Sequence, residues 1–213
     1  MTEEPKLSNG QTESYDLQTI IPAAVAEEQA LSDYHFINAA LENVTADIIE
    51  FHNCIFENCR FTNCAFHGIY FADVVFTKCD LSNVDFSECF FRRVRFENCK
   101  AMGTNFGETT FENVAMQNCN CKLINLSSVK LKNVSFGSVD FSSGSFQQSS
   151  LKSVVFRECN LMQSEFLHTP LKGIDFTSNE IGGILLSGPE LQGAIVTAVQ
   201  ACDLSRYLGL IVR

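Results

Sequence analysis

Apolar residues recur at every fifth position from Phe36 to Leu191, and the phase of this repeat never changes. The series has 32 positions, of which 18 are Phe and nine are Leu. The remaining five are Ala46, Ala101, Met116, Cys121 and Ile181. Of the 19 phenylalanines, only Phe90 lies outside the series. Neither a helix, with a period of about 3.6, nor a strand, with a period of about 2, gives this spacing, so the chain is predicted to be a repeat architecture.

Each five-residue unit also has a second apolar position and a corner position. Two residues before the centre, the 32 units hold nine Val, eight Cys and five Ile. Two residues after the centre they hold ten Asn, six Gly, five Ser and one Asp, which are residue types that tolerate a left-handed or tight backbone. A single unit buries nothing, but stacked units share a continuous core, as in solenoids.

This pattern resembles the pentapeptide-repeat family, and residues 54–68 show three consecutive units of it. The resemblance implies an all-β fold, a right-handed quadrilateral parallel β-helix with four units, or about 20 residues, per coil. We therefore expect about eight coils over residues 31–191, followed by a short C-terminal α-helix and tail. Because the phase is never lost, we expect no loops that project from the solenoid.

The segments outside the repeat are expected to be a tail, an N-terminal cap and a C-terminal dimerisation element. Residues 1–16 are polar and are predicted to be a mobile tail. Residues 17–30 are apolar enough to pack on the first coil, and a solenoid end must be covered because it exposes core and unpaired strand edge. Residues 192–213 are expected to hold a helix and a strand.

A capping box marks the start of the C-terminal helix, with Thr197 as N-cap and Gln200 three residues later. The helix is predicted over residues 198–208, with Gly209 as its C-terminal cap. The segment 193–197 and the residues around this helix resemble the quinolone-resistance (Qnr-type) branch of the family, where they form a twofold dimer. The dimerisation residues implied by this resemblance are Val199, Cys202, Leu204, Tyr207, Leu208, Leu210, Ile211 and Val212. The alternative is a cap that closes a monomer.

Composition limits the classes of partner. The 213 residues carry a net charge of −10, with a pI near 4.8. We expect no direct nucleic-acid binding, because phosphate contacts need clustered Lys and Arg. No apolar run reaches membrane-spanning length and no signal-peptide pattern is present, so we expect no membrane association and a cytoplasmic protein.

Ten cysteines raise the question of metal or disulfide chemistry. Eight occupy the small inward position that Val and Ile fill elsewhere: Cys54, Cys59, Cys64, Cys79, Cys89, Cys99, Cys119 and Cys159. The chain has no CxxC pair, so we interpret these cysteines as reduced core residues and expect no metal site and no cofactor. A metal or disulfide role is the alternative.

No catalytic pattern is present in the sequence. HExxH, the P-loop, GxSxG and GxGxxG are all absent, and His35, His52, His67 and His168 are scattered over outward positions. We therefore expect that the protein is not an enzyme.

Charge is distributed unevenly over the four sides that the resemblance implies. One side carries five carboxylates and no Lys or Arg, and we call these five residues the acidic face: Asp47, Asp85, Glu88, Glu108 and Glu165. The next side along the chain carries six cations, which we call the basic stretch: Arg92, Arg93, Lys130, Lys132, Lys152 and Lys172.

The resemblance to the Qnr-type branch implies DNA gyrase and topoisomerase IV as partners and protection of these enzymes from fluoroquinolones. In this hypothesis the acidic face mimics duplex DNA, and an excess of the protein inhibits gyrase. Eight coils make a rod of roughly 38 Å, and DNA of that length carries about 22 phosphates, so charge alone does not establish mimicry. The alternative is an interaction scaffold or self-immunity protein that binds another partner through the basic stretch. A third interpretation is an accessory module derived from an enzyme.

Overall fold

The computed structural model describes residues 2–47 and 49–210, which form a four-sided parallel β-solenoid with a helix packed near each end. The strands are β1 (Thr12–Ser14), β2 (Leu31–Ser32), β3 (Tyr34–Ile37), β4 (Ala40–Glu42), β5 (Thr45–Asp47), β6 (Glu50–Glu57), β7 (Arg60–Thr62), β8 (Ala65–His67), β9 (Tyr70–Thr77), β10 (Phe90–Glu97), β11 (Thr110–Gln117), β12 (Lys130–Gly137) and β13 (Ser150–Arg157). The α-helices are α1 (Leu17–Ala26) and α2 (Ala198–Leu204), and 3₁₀ turns cover Pro189–Leu191 and Ser205–Leu208. This arrangement confirms the predicted fold class.

The main sheet stacks one strand per turn in the order β3, β6, β9, β10, β11, β12, β13, with β1 added outside β3. Partner residues are 20 positions apart, as Phe91 pairs with Phe71 on one side and Phe111 on the other. The strand pairs β4–β7 and β5–β8 lie on the other two sides, which later turns continue as single parallel bridges. Four five-residue units therefore complete each turn.

Strand pairing covers about seven turns, although the sequence predicts about eight. In β13, Ser150 donates its backbone N–H to the carbonyl of Val129 at 2.9 Å. One turn later the same position is Pro170, which has no N–H to donate. The backbone still follows the solenoid there, since the N–H of Phe176 bonds the carbonyl of Ile195 at 2.9 Å.

The central residues of the repeat form the core. Phe71, Phe91 and their equivalents are buried and stack along the axis, with 4.6 Å between these two ring centroids. Neighbouring columns meet edge to face, as Phe86 and Phe91 do at 5.8 Å. Both geometries are favourable for aromatic rings. Phe90, the one phenylalanine outside the repeat, lies half-buried on the outer surface and stacks on Tyr70.

The corner residues adopt the left-handed conformation that their composition predicts. Asn58 and Asn98 have φ values of 52° and 53°, and Gly68 has 65°. Adjacent corners also bond to each other, as the side chain of Asn58 donates to Asn38 at 2.7 Å. Asn and Gly are common here because they tolerate positive φ better than other residues do.

Where the second inward position holds Cys, Ser or Thr, its side chain donates to a backbone carbonyl of the preceding turn. The Cys59 thiol points to the carbonyl of Phe36 at 3.4 Å, and the Thr104 hydroxyl bonds the carbonyl of Leu81 at 2.7 Å. In both cases the acceptor lies 23 residues earlier, so Cys, Ser and Thr provide the same donor to the same backbone group. This bond explains why small polar residues are accepted in an otherwise apolar core.

Thiol reactivity provides a direct test of this core. Nine of the ten cysteines are buried and only Cys202 is exposed, and burial raises the pKa of the Cys89 thiol to about 12. Because the thiolate is the reactive form, we expect a thiol reagent to modify one cysteine per native chain and all ten after denaturation. Absorbance of the released chromophore measures this number. The variant Cys202→Ser should react at none, and several fast thiols in the native chain would contradict the structure.

Helix α1 covers the first turn, the position at which the sequence predicts a cap. The Asp16 carboxylate accepts the N–H of Thr19 at 2.9 Å and so begins the helix, while Leu17 and Ile21 are buried against the core. The Gln18 side chain bonds both the N–H and the carbonyl of Glu42 on the edge of the solenoid. The helix therefore covers the apolar end and satisfies edge backbone groups.

The structure differs from the predicted mobile tail at residues 1–16. Residues 2–12 lie along one corner of the solenoid, and β1 then pairs in parallel with β3. The contacts are hydrogen bonds from the backbone of this segment to corner side chains, together with side-chain bonds such as Ser8 to Asp33. A polar segment without the repeat gives no hydrophobic signal for such docking, which is why the sequence did not predict it.

At the C-terminus the capping box is formed, with Gln200 N–H bonded to the Thr197 hydroxyl at 3.2 Å. Helix α2 is shorter than predicted because its last turn tightens into the 3₁₀ turn Ser205–Leu208. Gly209 then takes a left-handed φ of 71°, as expected of a C-terminal cap. The predicted terminal strand lies mostly outside the described residues.

Candidate interaction surface

The five residues of the acidic face lie on the side that carries β5 and β8. Asp85, Glu88 and Glu108 occupy adjacent turns, so the structure brings these three together. Asp47 lies two turns before Asp85, and Glu165 lies about three turns, or ~14 Å, beyond Glu108. The face is therefore a central group of carboxylates with one outlier toward each end.

His67 connects two members of the acidic face, a role that sequence reasoning missed. Its Nδ1 lies 3.3 Å from Asp47 Oδ1 and its Nε2 lies 3.4 Å from Asp85 Oδ2. The sequence contains a signal for this contact, because His67 lies 20 residues, or one turn, after Asp47 in the same column. The imidazole holds the two carboxylates at fixed positions on the surface.

Asp85 begins a ladder of side chains that runs along the acidic face. Asn105 donates to Asp85 at 2.8 Å and Asn125 donates to Asn105 at 2.7 Å. Burial raises the pKa of Asp85, but hydrogen bonds from the Ser87 N–H and hydroxyl, and from His67, outweigh burial and hold the pKa below its usual value. Asp85 is therefore charged and immobilised at neutral pH.

Glu88 and Glu108 differ from Asp85 because they are exposed corner residues. Both have positive φ, 61° and 60°, which points their side chains away from the solenoid. Glu165 is half-buried and accepts a hydrogen bond from the Gln147 side chain. The two corner carboxylates are the most accessible charges of the central group.

The side that precedes the acidic face along the chain also carries carboxylates, but three of its four pair with cations. The pairs are Arg60–Glu42 (3.3 Å), Lys100–Asp80 (3.3 Å) and Lys122–Asp140 (3.4 Å). Within the described residues, no Lys or Arg forms a salt bridge with the acidic face, whose only contact with a basic side chain is the imidazole of His67. The acidic face is therefore the side with uncompensated negative charge.

The basic stretch is partly neutralised on its own side. Arg93 makes two hydrogen bonds of 2.6 Å to Asp73, and Lys132 contacts Glu112 at 2.5 Å. The other four cations are exposed: Arg92, Lys130, Lys152 and Lys172.

The residues expected to form a dimer interface divide into two groups. Leu204 is buried on its own solenoid and the Tyr207 hydroxyl donates to the carbonyl of Ile184, so both pack within the chain. Val199, Cys202 and Leu210 are exposed. The side chain of Leu208, and all of Ile211 and Val212, lie outside the part that the structure describes.

An apolar pocket of ≈ 540 Å³ opens beside α2, between Pro189, Leu191, Val196, Leu204 and Leu210. Over residues 2–47 and 49–210, no cluster of His, Cys, Asp or Glu could hold a metal ion. None of the helices in this part of the chain has the length and apolar character needed to cross a membrane.

Residues 49–126 and 69–141 match a family described as Pentapeptide repeat region. No curated protein sequence matches the chain. Among solved structures, full-length QnrB1, a plasmid-mediated fluoroquinolone resistance protein, is 22% identical, covers 86% of this chain and 91% of its own, and has a TM-score of 0.45. A trypsin-treated QnrB1 variant is also 22% identical, covers 96% of this chain and 97% of its own, and has a TM-score of 0.43. HetL, a pentapeptide repeat protein involved in heterocyst differentiation regulation from Nostoc sp. strain PCC 7120, is 10% identical, covers 82% and 92%, and has a TM-score of 0.32.

Proposed function

Because the chain contains a pentapeptide-repeat region, we propose that it acts as a non-enzymatic rod that presents its surface to a protein partner. We propose DNA gyrase and topoisomerase IV as the partners, in the cytoplasm, with the rod in place of duplex DNA. Binding would protect these enzymes from fluoroquinolones, and an excess would inhibit gyrase. The resemblance of residues 193–212 to the Qnr-type branch selects these enzymes as the targets.

The observation that carries this proposal is the uncompensated charge of the acidic face. Seven turns form a rod of about 34 Å, and duplex DNA of that length carries about 20 phosphates. Five carboxylates do not match that density, so the partner must recognise a local group rather than a uniform charge. Asp85, Glu88 and Glu108 in adjacent turns form such a group, and it complements a positively charged DNA-binding surface.

Charge reversal on the acidic face tests the proposal. A supercoiling assay contains gyrase, a fluoroquinolone and increasing amounts of the protein. The native protein should restore supercoiling, and the variant with all five carboxylates changed to Lys should need at least about tenfold more protein, because repulsion replaces attraction at the interface.

A matched variant controls for net charge. It changes five exposed carboxylates outside the acidic face to Lys: Glu27, Glu28, Glu50, Glu158 and Glu180. This variant should protect gyrase as well as the native protein does. Equal protection by the acidic-face variant, or no protection by any form, would reject the topoisomerase proposal.

A second candidate function uses the exposed cations of the basic stretch, as an interaction scaffold or self-immunity protein. Neutralising the six residues of the basic stretch separates the two proposals. Loss of partner capture in that variant, with the acidic face dispensable, would favour the scaffold.

We also propose that two chains associate through their C-terminal ends. The exposed side chains of Val199 and Leu210 and the apolar pocket beside α2 support this, because apolar surface at a solenoid end favours burial. Light scattering measures the mass of the particle in solution.

A further inference from the structure

The N-terminal segment, residues 2–12, lies on a corner of the solenoid that we call the corner ridge. The ridge is formed by one corner residue from each of six successive turns: Asp33, Asn53, Asp73, Arg93, Asn113 and Asn133. It follows the side of the basic stretch, which separates it from the acidic face. The ridge is therefore independent of the surface used in the proposed function.

Three backbone N–H groups of the segment donate to side-chain oxygens of the ridge. The N–H of Ser8 donates to Asn53 Oδ1 at 2.8 Å, and the N–H of Lys6 donates to Asp73 Oδ1 at 2.8 Å. Further along, the N–H of Glu3 donates to Asn113 Oδ1 at 3.4 Å. Side-chain oxygens from three of the turns thus accept from successive parts of one extended peptide, much as a sheet edge does in strand addition.

The spacing of these contacts requires an extended peptide. From Asn53 to Asn113 the ridge advances three turns, or about 14 Å at the strand spacing. The segment covers that distance in the five residue steps from Ser8 to Glu3, about 2.9 Å per step, close to the rise of an extended chain. A helix would advance only about 1.5 Å per residue and would miss the acceptors.

Charge adds selectivity to this backbone recognition. The Glu4 carboxylate lies 2.9 Å from Arg95, next to the ridge. The Asp73 carboxylate holds Arg93 on the ridge and accepts the Lys6 N–H at the same time. An acidic side chain near the start of the peptide therefore meets a cation, while the peptide backbone meets carboxylate and amide oxygens.

The ridge continues beyond the end of the segment. Thr2 bonds the Ser135 hydroxyl, and a groove of ≈ 330 Å³ extends from there past Asn133 and Ser153 to Arg157. Arg157 provides a further cation at the far end of this groove. A longer peptide than the segment itself can therefore be accommodated.

We propose that the corner ridge is a binding site for an extended acidic segment of a protein partner, and that residues 2–8 occupy it in cis. The partner segment must compete with this internal one, whose effective concentration is about millimolar for a short tether. The N-terminal segment thereby sets the concentration of partner that is needed for binding. Nucleic acid does not match this site, because phosphates have no N–H groups to donate to the ridge oxygens that accept from Ser8, Lys6 and Glu3.

A peptide titration of the full-length protein tests this proposal. The probe is a fluorescent peptide with the sequence of residues 2–12, and anisotropy reports its binding. The native protein should bind it weakly because the site is filled. The variant Glu3→Lys with Glu4→Lys should bind it about tenfold more tightly, because repulsion from Arg95 releases the internal segment.

Two controls make the result specific. Glu27→Lys with Glu28→Lys has the same change in net charge away from the ridge and should bind as weakly as the native protein. Adding Arg95→Glu to the Glu3→Lys, Glu4→Lys variant should abolish the gain. Equal weak binding by all forms would overturn the proposal, and so would a variant that binds a short DNA duplex instead of the peptide. Supercoiling protection measured in parallel should be unchanged, which separates this result from the proposed function.

Discussion

Phe91→Ala is expected to lower the free energy of unfolding by about 3–5 kcal/mol. Its ring is fully buried and stacks on Phe71 at 4.6 Å, with Phe86 and Phe106 edge to face at 5.8 and 5.7 Å. Removal of the ring loses apolar burial and leaves a cavity, because the stacked turns above and below restrict collapse. Urea unfolding followed by circular dichroism measures the change.

The neighbouring residue provides a matched control. Phe90 is also a phenylalanine in β10, but it faces outward, is half-buried and stacks only on Tyr70 at 5.3 Å. Phe90→Ala should cost about 1 kcal/mol, the size of one aromatic pair. If the two variants lose similar stability, the assignment of inward and outward faces in this strand is wrong.

Glu190→Gln is expected to cost about 3 kcal/mol at neutral pH. The buried carboxylate accepts the N–H groups of His168 (2.9 Å), Ser187 (3.0 Å) and Gly188 (2.9 Å), together with the Ser187 hydroxyl at 2.6 Å. A carboxamide replaces one accepting oxygen by an NH₂ group, which meets these donors without an acceptor. The last turn of the solenoid would then lose the anchor that joins it to the preceding turn.

The effect should depend on pH in a defined direction. Burial raises the pKa of Glu190, but the hydrogen bonds from Ser187 and His168 outweigh burial and lower it from 4.5 to about 2. A lowered folded-state pKa stabilises the protein fully above the unfolded value, and this stabilisation is lost as the pH falls toward about 2. Unfolding measured at pH 7 and near pH 3 should therefore show a smaller gap between native protein and variant at the lower pH.

Glu180→Gln is the control for this measurement, because Glu180 is an exposed carboxylate one half-turn earlier in the chain. It should change stability little at either pH. A constant gap between native protein and Glu190→Gln at both pH values would contradict the assigned role of the carboxylate network.

The period of five was sufficient to predict the solenoid, the inward columns and the corners, because each depends on repeated local contacts. Phe91, Asn58 and the capping residue Thr197 are where the sequence placed them. The number of paired turns was not predicted, since it depends on the missing N–H of Pro170. Local propensity and burial pattern thus accounted for the regular part of the fold.

The candidate surfaces were predictable in part. Counting by 20 places the five acidic residues on one side, but it does not reveal that His67 connects Asp47 to Asp85. The docking of residues 2–12 depends on backbone donors and on side-chain oxygens distant in sequence, such as Asn113. Polar contacts of this kind carry no periodic signal.

The unbroken phase of the repeat determines which changes of length this fold can absorb. Twenty residues complete one turn, as the pairing of Phe71 with Phe91 shows, so loss of a whole turn shortens the rod and leaves every later side chain facing the same way. Loss of five residues keeps the core but rotates all that follows by a quarter of a circle. Glu165 would then project from a different wall than Asp85. The length of the rod can therefore change by whole turns. Only changes of whole turns preserve its pattern of surface charge.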